Sequence, residues 1–297
     1  MKKANQTLTI KTLFFTVLIA LSFTSCVKLP ITKYDQLNNT TKNLDQKITD
    51  TYNRILVLQR RYVVTSAPDA KIDTNTFKPI IYGISYDLAP AFKFRESALD
   101  ILAKYTNLLF VLSSKDYLKN ADQAISDLSA STTNLSKNSL KLPAAESKII
   151  GSVTGTIANT ISKLIIEKKR IHTLKLVMDS TQISIQKLTD LLEKSDDKIV
   201  GAVKLMRKDL IGHANLIRPP YASLNRYAFD LEFANLLDEI SDIEQSLEIS
   251  NSALKKIPKS HAEIRKLLDV KDTKLEALQD LISEGQRIGD VYNNLNK

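Results

Sequence analysis

Residues able to do chemistry are few in this chain, and they are scattered. It holds three histidines, His172, His213 and His261, and one cysteine, Cys26. A structural or catalytic metal needs several such ligands at characteristic spacing, and neither HExxH nor paired Cys/His spacing is present. The histidines therefore read as surface or boundary residues, and no metal ligand is assigned. Carboxylates pair at Asp196-Asp197, Asp238-Glu239 and Asp230/Glu232. Paired acids do acid/base work only where a concave site shifts their pKa values apart. Here they alternate with lysines on amphipathic segments, as on a solvated helix face. No GxSxG elbow, phosphate-cradling loop or dinucleotide fingerprint occurs. The expectation is a protein without catalytic residues, cofactor or small-molecule substrate.

Cys26 has a different context. Lys2, Lys3 and Lys11 form a basic start, and Leu13-Phe14-Phe15-Thr16-Val17-Leu18-Ile19-Ala20-Leu21 is an apolar run. That run has the length of a signal-peptide core and falls well short of the roughly 20 residues that span a bilayer. Small residues follow, ending at Phe23-Thr24-Ser25-Cys26. This tetrad resembles the lipobox of bacterial lipoproteins, with Phe23 in place of the usual aliphatic residue. The resemblance covers residues 1 to 26 and implies cleavage between Ser25 and Cys26, with lipid on the Cys26 sulfur. Val27, rather than Asp, follows the cysteine, which by analogy with enterobacterial sorting favours the outer membrane. As the sole cysteine, Cys26 has no disulfide partner within the chain. Several acyl chains hold a protein at a bilayer persistently, where one does not. The expected organisation is a cleaved signal at 1–25, a lipidated tether at 26–33 and one helical domain at 34–297.

Composition agrees with helices. Seven glycines, eight prolines and no tryptophan in 297 residues leave little material for the turns of a many-stranded sheet. The formal charge is +9, and loss of Lys2, Lys3 and Lys11 with the signal would leave about +6. Acidic and basic residues interleave, without the dense basic stripe of a nucleic-acid surface.

The seam Tyr34, Leu37, Thr41, Leu44, Ile48, Thr51, Ile55, Leu58, Tyr62 alternates steps of three and four, which predicts a helix over 31–65. Pro68, Pro79, Gly83 and Pro90 break the next stretch. The loop 66–90 is unusually apolar, and packs on the body or offers a contact surface. A second helix is expected over 91–141, with a phase slip at Ser113–Tyr117 that permits a bend. A third is expected over 144–213, a fourth over 221–256, and a fifth over 259–294 beyond Pro258. Ser260 and Glu263 have capping-box spacing at that last start. The fold class is all-α: an elongated antiparallel bundle of about five long, amphipathic, coiled-coil-like helices.

One segment invites a sharper idea. Residues 149–166 are apolar with small residues, and Gly151 and Gly155 form a GxxxG pair. Lys163, Lys168, Lys169 and Arg170 follow closely. An apolar stretch beside cations suits a membrane interface or anionic lipid. The favoured alternative is that the small residues let helices pack tightly inside the bundle. The sequence thus points to a lipid-anchored envelope lipoprotein, a non-enzymatic scaffold that binds a protein partner or itself. The runner-up is a membrane-active helical protein resembling long-helix pore-forming toxins.

Overall fold

Every member of the first seam is buried, from Tyr34 to Tyr62, so the spacing of three and four lays one stripe against neighbours as expected. The computed structural model describes residues 29–66, 80–81, 84–85, 89–139, 142–164, 170–220, 224–270 and 273–295. Within them the chain is all-α, with seven helices where the sequence predicts five. These are α1 (Ile31–Ser66), α2 (Ala89–Ser113), α3 (Tyr117–Asn138), α4 (Ala144–Leu164), α5 (Arg170–Ile217), α6 (Leu224–Leu267) and α7 (Glu276–Leu295). Between α1 and α2, Ile80–Ile81 pairs antiparallel with Ile84–Ser85. The rest of the expected apolar loop lies outside the described residues.

The extra helices arise where the chain doubles back. The phase slip expected to bend one long helix is a reversal: α2 ends at Ser113 and α3 returns along it. Ser113 Oγ donates to the Phe110 carbonyl (2.7 Å) and Ser114 Oγ to the Val111 carbonyl (2.8 Å), satisfying oxygens that a helix end leaves open. Asn138 Nδ2 to Ser97 Oγ (2.7 Å) and Ser131 Oγ to Asp100 Oδ2 fix the two helices side by side. The predicted third helix is likewise two, α4 and α5. Gly201 and Gly212 lie within the unbroken α5.

Pro258 does the opposite of what its type suggests. It lies inside α6, which continues to Leu267. An interior proline loses one backbone bond and costs about 3 kcal/mol in a bare helix. Here Pro258 is buried, and its carbonyl accepts Gln182 Nε2 from α5 at 3.1 Å. Ser260 and Glu263 therefore start no helix. Ser260 Oγ donates back to the Lys256 carbonyl (2.8 Å). The Glu263 carboxylate instead accepts the backbone N–H groups of Ala277 (2.9 Å) and Leu278 (3.1 Å), capping α7 across the turn.

Tertiary contacts give the order of packing. Sequential helices α1 to α7 are neighbours, except that α2 also meets α5, and α1 also meets α5, α6 and α7. Tyr34 pairs with Met178, Tyr52 with Asp196 and Tyr62 with Asp209, so α1 and α5 run parallel. Lys175–Asp269, Lys255–Glu193 and Arg207–Glu244 show α6 antiparallel to α5. The buried apolar side chains form one cluster drawing on all seven helices. At Gly285 a Cβ would fall 2.8 Å from Thr40 Cγ2, and Asn43 Nδ2 donates to its carbonyl (3.2 Å). This glycine lets α7 approach α1 closely.

The two ends of the bundle differ. The start of α1, the α2–α3 turn, the start of α5 and the end of α6 share one end. Arg170 Nε bound to the Leu112 carbonyl (3.0 Å) and Lys175 bound to Asp269 (2.5 Å) tie these elements together. At the other end the α5–α6 hairpin reaches farthest. The 48 residues of α5 correspond to about 70 Å at 1.5 Å per residue.

The bidentate cap makes a clear expectation. Glu263→Ala should lower stability by about 1–2 kcal/mol by leaving two N–H groups of α7 open. Urea unfolding is the measurement, and an unchanged midpoint would show the cap to be idle.

Candidate functional site

Two buried polar networks are the densest concentrations of functional groups among the described residues. In the first, Arg95 of α2 and Asp196 of α5 meet with Nε to Oδ1 at 3.0 Å, both almost without solvent exposure. The Tyr52 hydroxyl of α1 donates to the same Oδ1 (2.9 Å), and its ring stacks on Phe92 at 4.8 Å. The Arg95 guanidinium lies 5.9 Å from the Tyr52 ring. Burial pushes the Asp196 carboxyl up, opposed by Arg95 and by the two hydrogen bonds. Burial raises the Tyr52 hydroxyl far above its ordinary value, and the adjacent carboxylate adds to that, so it stays a donor.

The second network joins α2, α5 and α6. Tyr105 Oη lies 2.6 Å from both Thr181 Oγ1 and His261 Nε2, while His261 Nδ1 faces Gln182 Oε1 at 2.5 Å. Because the Gln182 amide nitrogen donates to the Pro258 carbonyl, its oxygen is the atom turned to the ring. The neutral imidazole therefore carries its proton on Nδ1 and accepts from Tyr105 through Nε2. Burial is the main cause lowering the His261 pKa from 6.5 to about 4, with Asp179 and Arg265 pulling in opposite directions.

These arrangements correct the sequence reading. His261 is a core residue rather than a boundary one, whereas His172 is exposed and His213 half-buried. Asp196 is an interior acid, while its neighbour Asp197 is exposed and accepts from Asn251 (3.3 Å). No group of three or more His, Cys, Asp or Glu suited to a metal ion occurs among the described residues. The sequence signal for both networks was available. Tyr52 and Tyr105 occupy core-facing helical positions, and a tyrosine in a core requires a partner for its hydroxyl.

Of the residues singled out beforehand, the structure describes Gly151, Gly155, Lys163 and Arg170. Ser25, Cys26, Lys168 and Lys169 lie outside the described residues. Gly151 and Gly155 are exposed, and nothing stands within 4 Å of a Cβ built on either, so the expected tight packing through GxxxG does not occur. Each glycine weakens α4 by roughly 0.5–1 kcal/mol relative to alanine without a close contact in return. Lys163 is exposed. Arg170 is half-buried, bound to the Leu112 carbonyl and 5.7 Å from the Tyr117 ring, and so braces the α2–α3 turn. The apolar residues of this segment, Ile150, Val153, Ile157 and Ile161, face the core.

A surface that sequence reasoning missed lies on the α5–α6 hairpin. Leu216 is 82% exposed, Tyr227 77%, and Leu231 and Ile217 about half. Phe229 and Phe233 stack beside them at 6.2 Å. Arg218 clasps Asp230 with two bonds (2.7 and 2.5 Å), joining the chain just beyond α5 to α6. A helical wheel marks these apolar residues, but only the absence of covering helices shows that they face solvent.

Two outcomes follow. Arg95→Met should cost about 3–5 kcal/mol by stranding the Asp196 charge, and Arg95→Met with Asp196→Leu should recover most of it; denaturant midpoints of the two variants read this directly. For His261 the lowered pKa means that the unfolded chain takes up the proton first as pH falls. Its contribution is complete above pH 6.5 and fades between 6.5 and about 4. Relative to His261→Gln, the wild type should lose roughly 2–3 kcal/mol across that window. Parallel pH profiles of the two proteins would contradict this.

No protein-family model, curated protein or solved structure matches the chain, so its function has to be read from its own residues.

Proposed function

We propose that this protein is a bacterial envelope lipoprotein. It is held by lipid on Cys26, favours the outer membrane, and acts as a non-enzymatic helical scaffold that offers a protein-binding surface away from the bilayer. The observation that carries the reading is the opposition of two ends. The first described residues, just after the lipobox-like tetrad, lead into α1 at one end of the bundle, and the exposed apolar hairpin of α5 and α6 lies at the other. α1 starts at Ile31, as the spacing of its seam predicts, so only a few residues of sequence separate it from Cys26. An elongated antiparallel bundle so anchored is a spacer, and its hairpin is the surface placed to meet a partner. Exposed leucine and tyrosine beside a pair of stacked rings have the character of interface anchors.

Support for the membrane-active alternative is weaker. No described helix is long and apolar enough to cross a membrane. The apolar side chains of α4 would have to leave the core to reach lipid.

Metabolic labelling with a clickable fatty acid tests the anchor: wild type should be labelled, and Cys26→Ala should not. A photo-reactive residue at position 216 or 227 tests the surface in the same cells. It should give a discrete adduct, which the same residue at exposed position 187, midway along α5, should not. Unlabelled wild type would refute the anchor, and absence of hairpin adducts would refute the binding role.

A further inference from the structure

The end of the bundle where α1 begins carries an arrangement that the scaffold role alone does not require. Two turns flank the start of α1 there, one between α2 and α3 and one after α6; α1 packs on α2 on one side and on α6 and α7 on the other. Lys115 in the α2–α3 turn and Leu118 and Lys119 in the first turn of α3 stand together, as do Lys266 at the end of α6 and Val270 and Lys274 among the described residues beyond it. Leu118 is 75% exposed and Val270 48%. Each turn thus sets one bare aliphatic side chain between exposed lysines. Leu118 continues the α3 stripe in sequence, yet it stands exposed while Ala121 and Ile125 pack against the core and Ala124 is buried, so core packing does not account for it.

The carboxylates nearby leave this face basic. Asp269 is neutralised by Lys175 and Arg265 and Glu276 lies 3.8 Å from Lys274, which leaves the exposed acids Asp116 and Asp122 against Lys115, Lys119 and Lys266. Lys115, Lys119 and Lys266 make no ion pair among the described residues.

We infer that this end of the bundle is a lipid-facing surface, on which the lysines of the two turns meet anionic headgroups while Leu118 and Val270 enter the interface. The inference rests on the anchoring reading, because the occupant is fixed by chain length. From Cys26 to Ile31 the backbone reaches at most about 17 Å. The acyl chains therefore hold a bilayer within that reach of the start of α1, the end of the bundle at which both turns lie. Lysines beside an anionic surface each gain about 1 kcal/mol, a factor of about five. Aliphatic side chains at an interface bury themselves about 5–10 Å deep. The bundle then stands on its basic end and points the α5–α6 hairpin away from the membrane.

The absence of tryptophan from the chain supplies a clean reporter. The full acylated protein carrying Leu118→Trp, Val270→Trp or Leu216→Trp is reconstituted on phosphatidylcholine vesicles with and without phosphatidylglycerol, using brominated acyl chains as quencher. With phosphatidylglycerol, Leu118→Trp and Val270→Trp should emit at shorter wavelength and be quenched, and Leu216→Trp should not. Replacing Lys115, Lys119, Lys266 and Lys274 by Glu should weaken this seating about fivefold per lysine and abolish its dependence on phosphatidylglycerol. Equal quenching at all three positions, or none at 118 and 270, overturns the inference. Fatty-acid labelling of the same samples separates the two ideas. An acylated protein without quenching sinks the lipid-facing surface alone; an unacylated protein that is still quenched sinks the anchor alone.

Discussion

The ion pair of Arg95 and Asp196, bridged by the Tyr52 hydroxyl, holds three helices that are far apart in sequence in one register. Leucine and isoleucine stripes are tolerant of slippage, because a helix shifted by one heptad presents nearly the same surface. A buried charge pair is not, since any shift strands a charge in a low-dielectric interior. Desolvation makes such a pair a poor source of net stability, so its value lies in specifying alignment. The alignment matters most for α1 and α5, which run parallel and are not joined by a short turn. Tyr34 on Met178 and Tyr62 on Asp209 repeat the contact toward each end.

The second network does comparable work where α6 is weakest. Pro258 removes one backbone donor from the helix, and the Gln182 side chain binds its carbonyl at that level. Gln182 also orients His261, which receives Tyr105. One polar chain therefore links α2 and α5 to the proline-bearing turn of α6. The helix survives a residue that local propensity would place at its end.

That difference marks how much the sequence can disclose. Period-3.6 burial is a local property, so the all-α class and the α1 stripe are legible from apolar spacing. Reversals are not local in the same way. Ser113-Ser114 closes α2 with side-chain bonds to its own carbonyls, a pattern that also occurs in mid-helix. Only the pairing of α3 back onto α2 makes it a turn. Proline is the converse case, a strong local breaker overridden by tertiary contacts. Glu263 has capping-box spacing from Ser260 but caps a different helix, because the cap acts through space. The GxxxG pair misled for the same reason: spacing shows that two glycines share a face, and not whether another helix lies against it. The glycine under real steric pressure is Gly285, which belongs to no motif.

Where the chain spends its charges bears on where it can act. Along the sides of the bundle, ion pairs close between adjacent helices, as in Arg265–Asp179, Lys255–Glu193 and Lys256–Asp280. Exposed pairs of this kind add little stability, but each cancels one charge of either sign on the flanks. Side chains at the ends are exposed for a geometric reason. Turns and helix tips have fewer neighbours, so a lysine in the α2–α3 turn or a leucine at the end of α5 meets solvent where a mid-helix residue meets a facing helix. Among the described residues, six of the ten large apolar ones that stand exposed fall between Leu205 and Leu231, while Leu118 and Val270 lie at the opposite end among lysines. The same packing that satisfies the flanks thus concentrates unsatisfied surface at two sites with different chemistry. One sets aliphatic side chains among lysines, and the other sets leucine and tyrosine side chains on a hairpin tens of ångströms away.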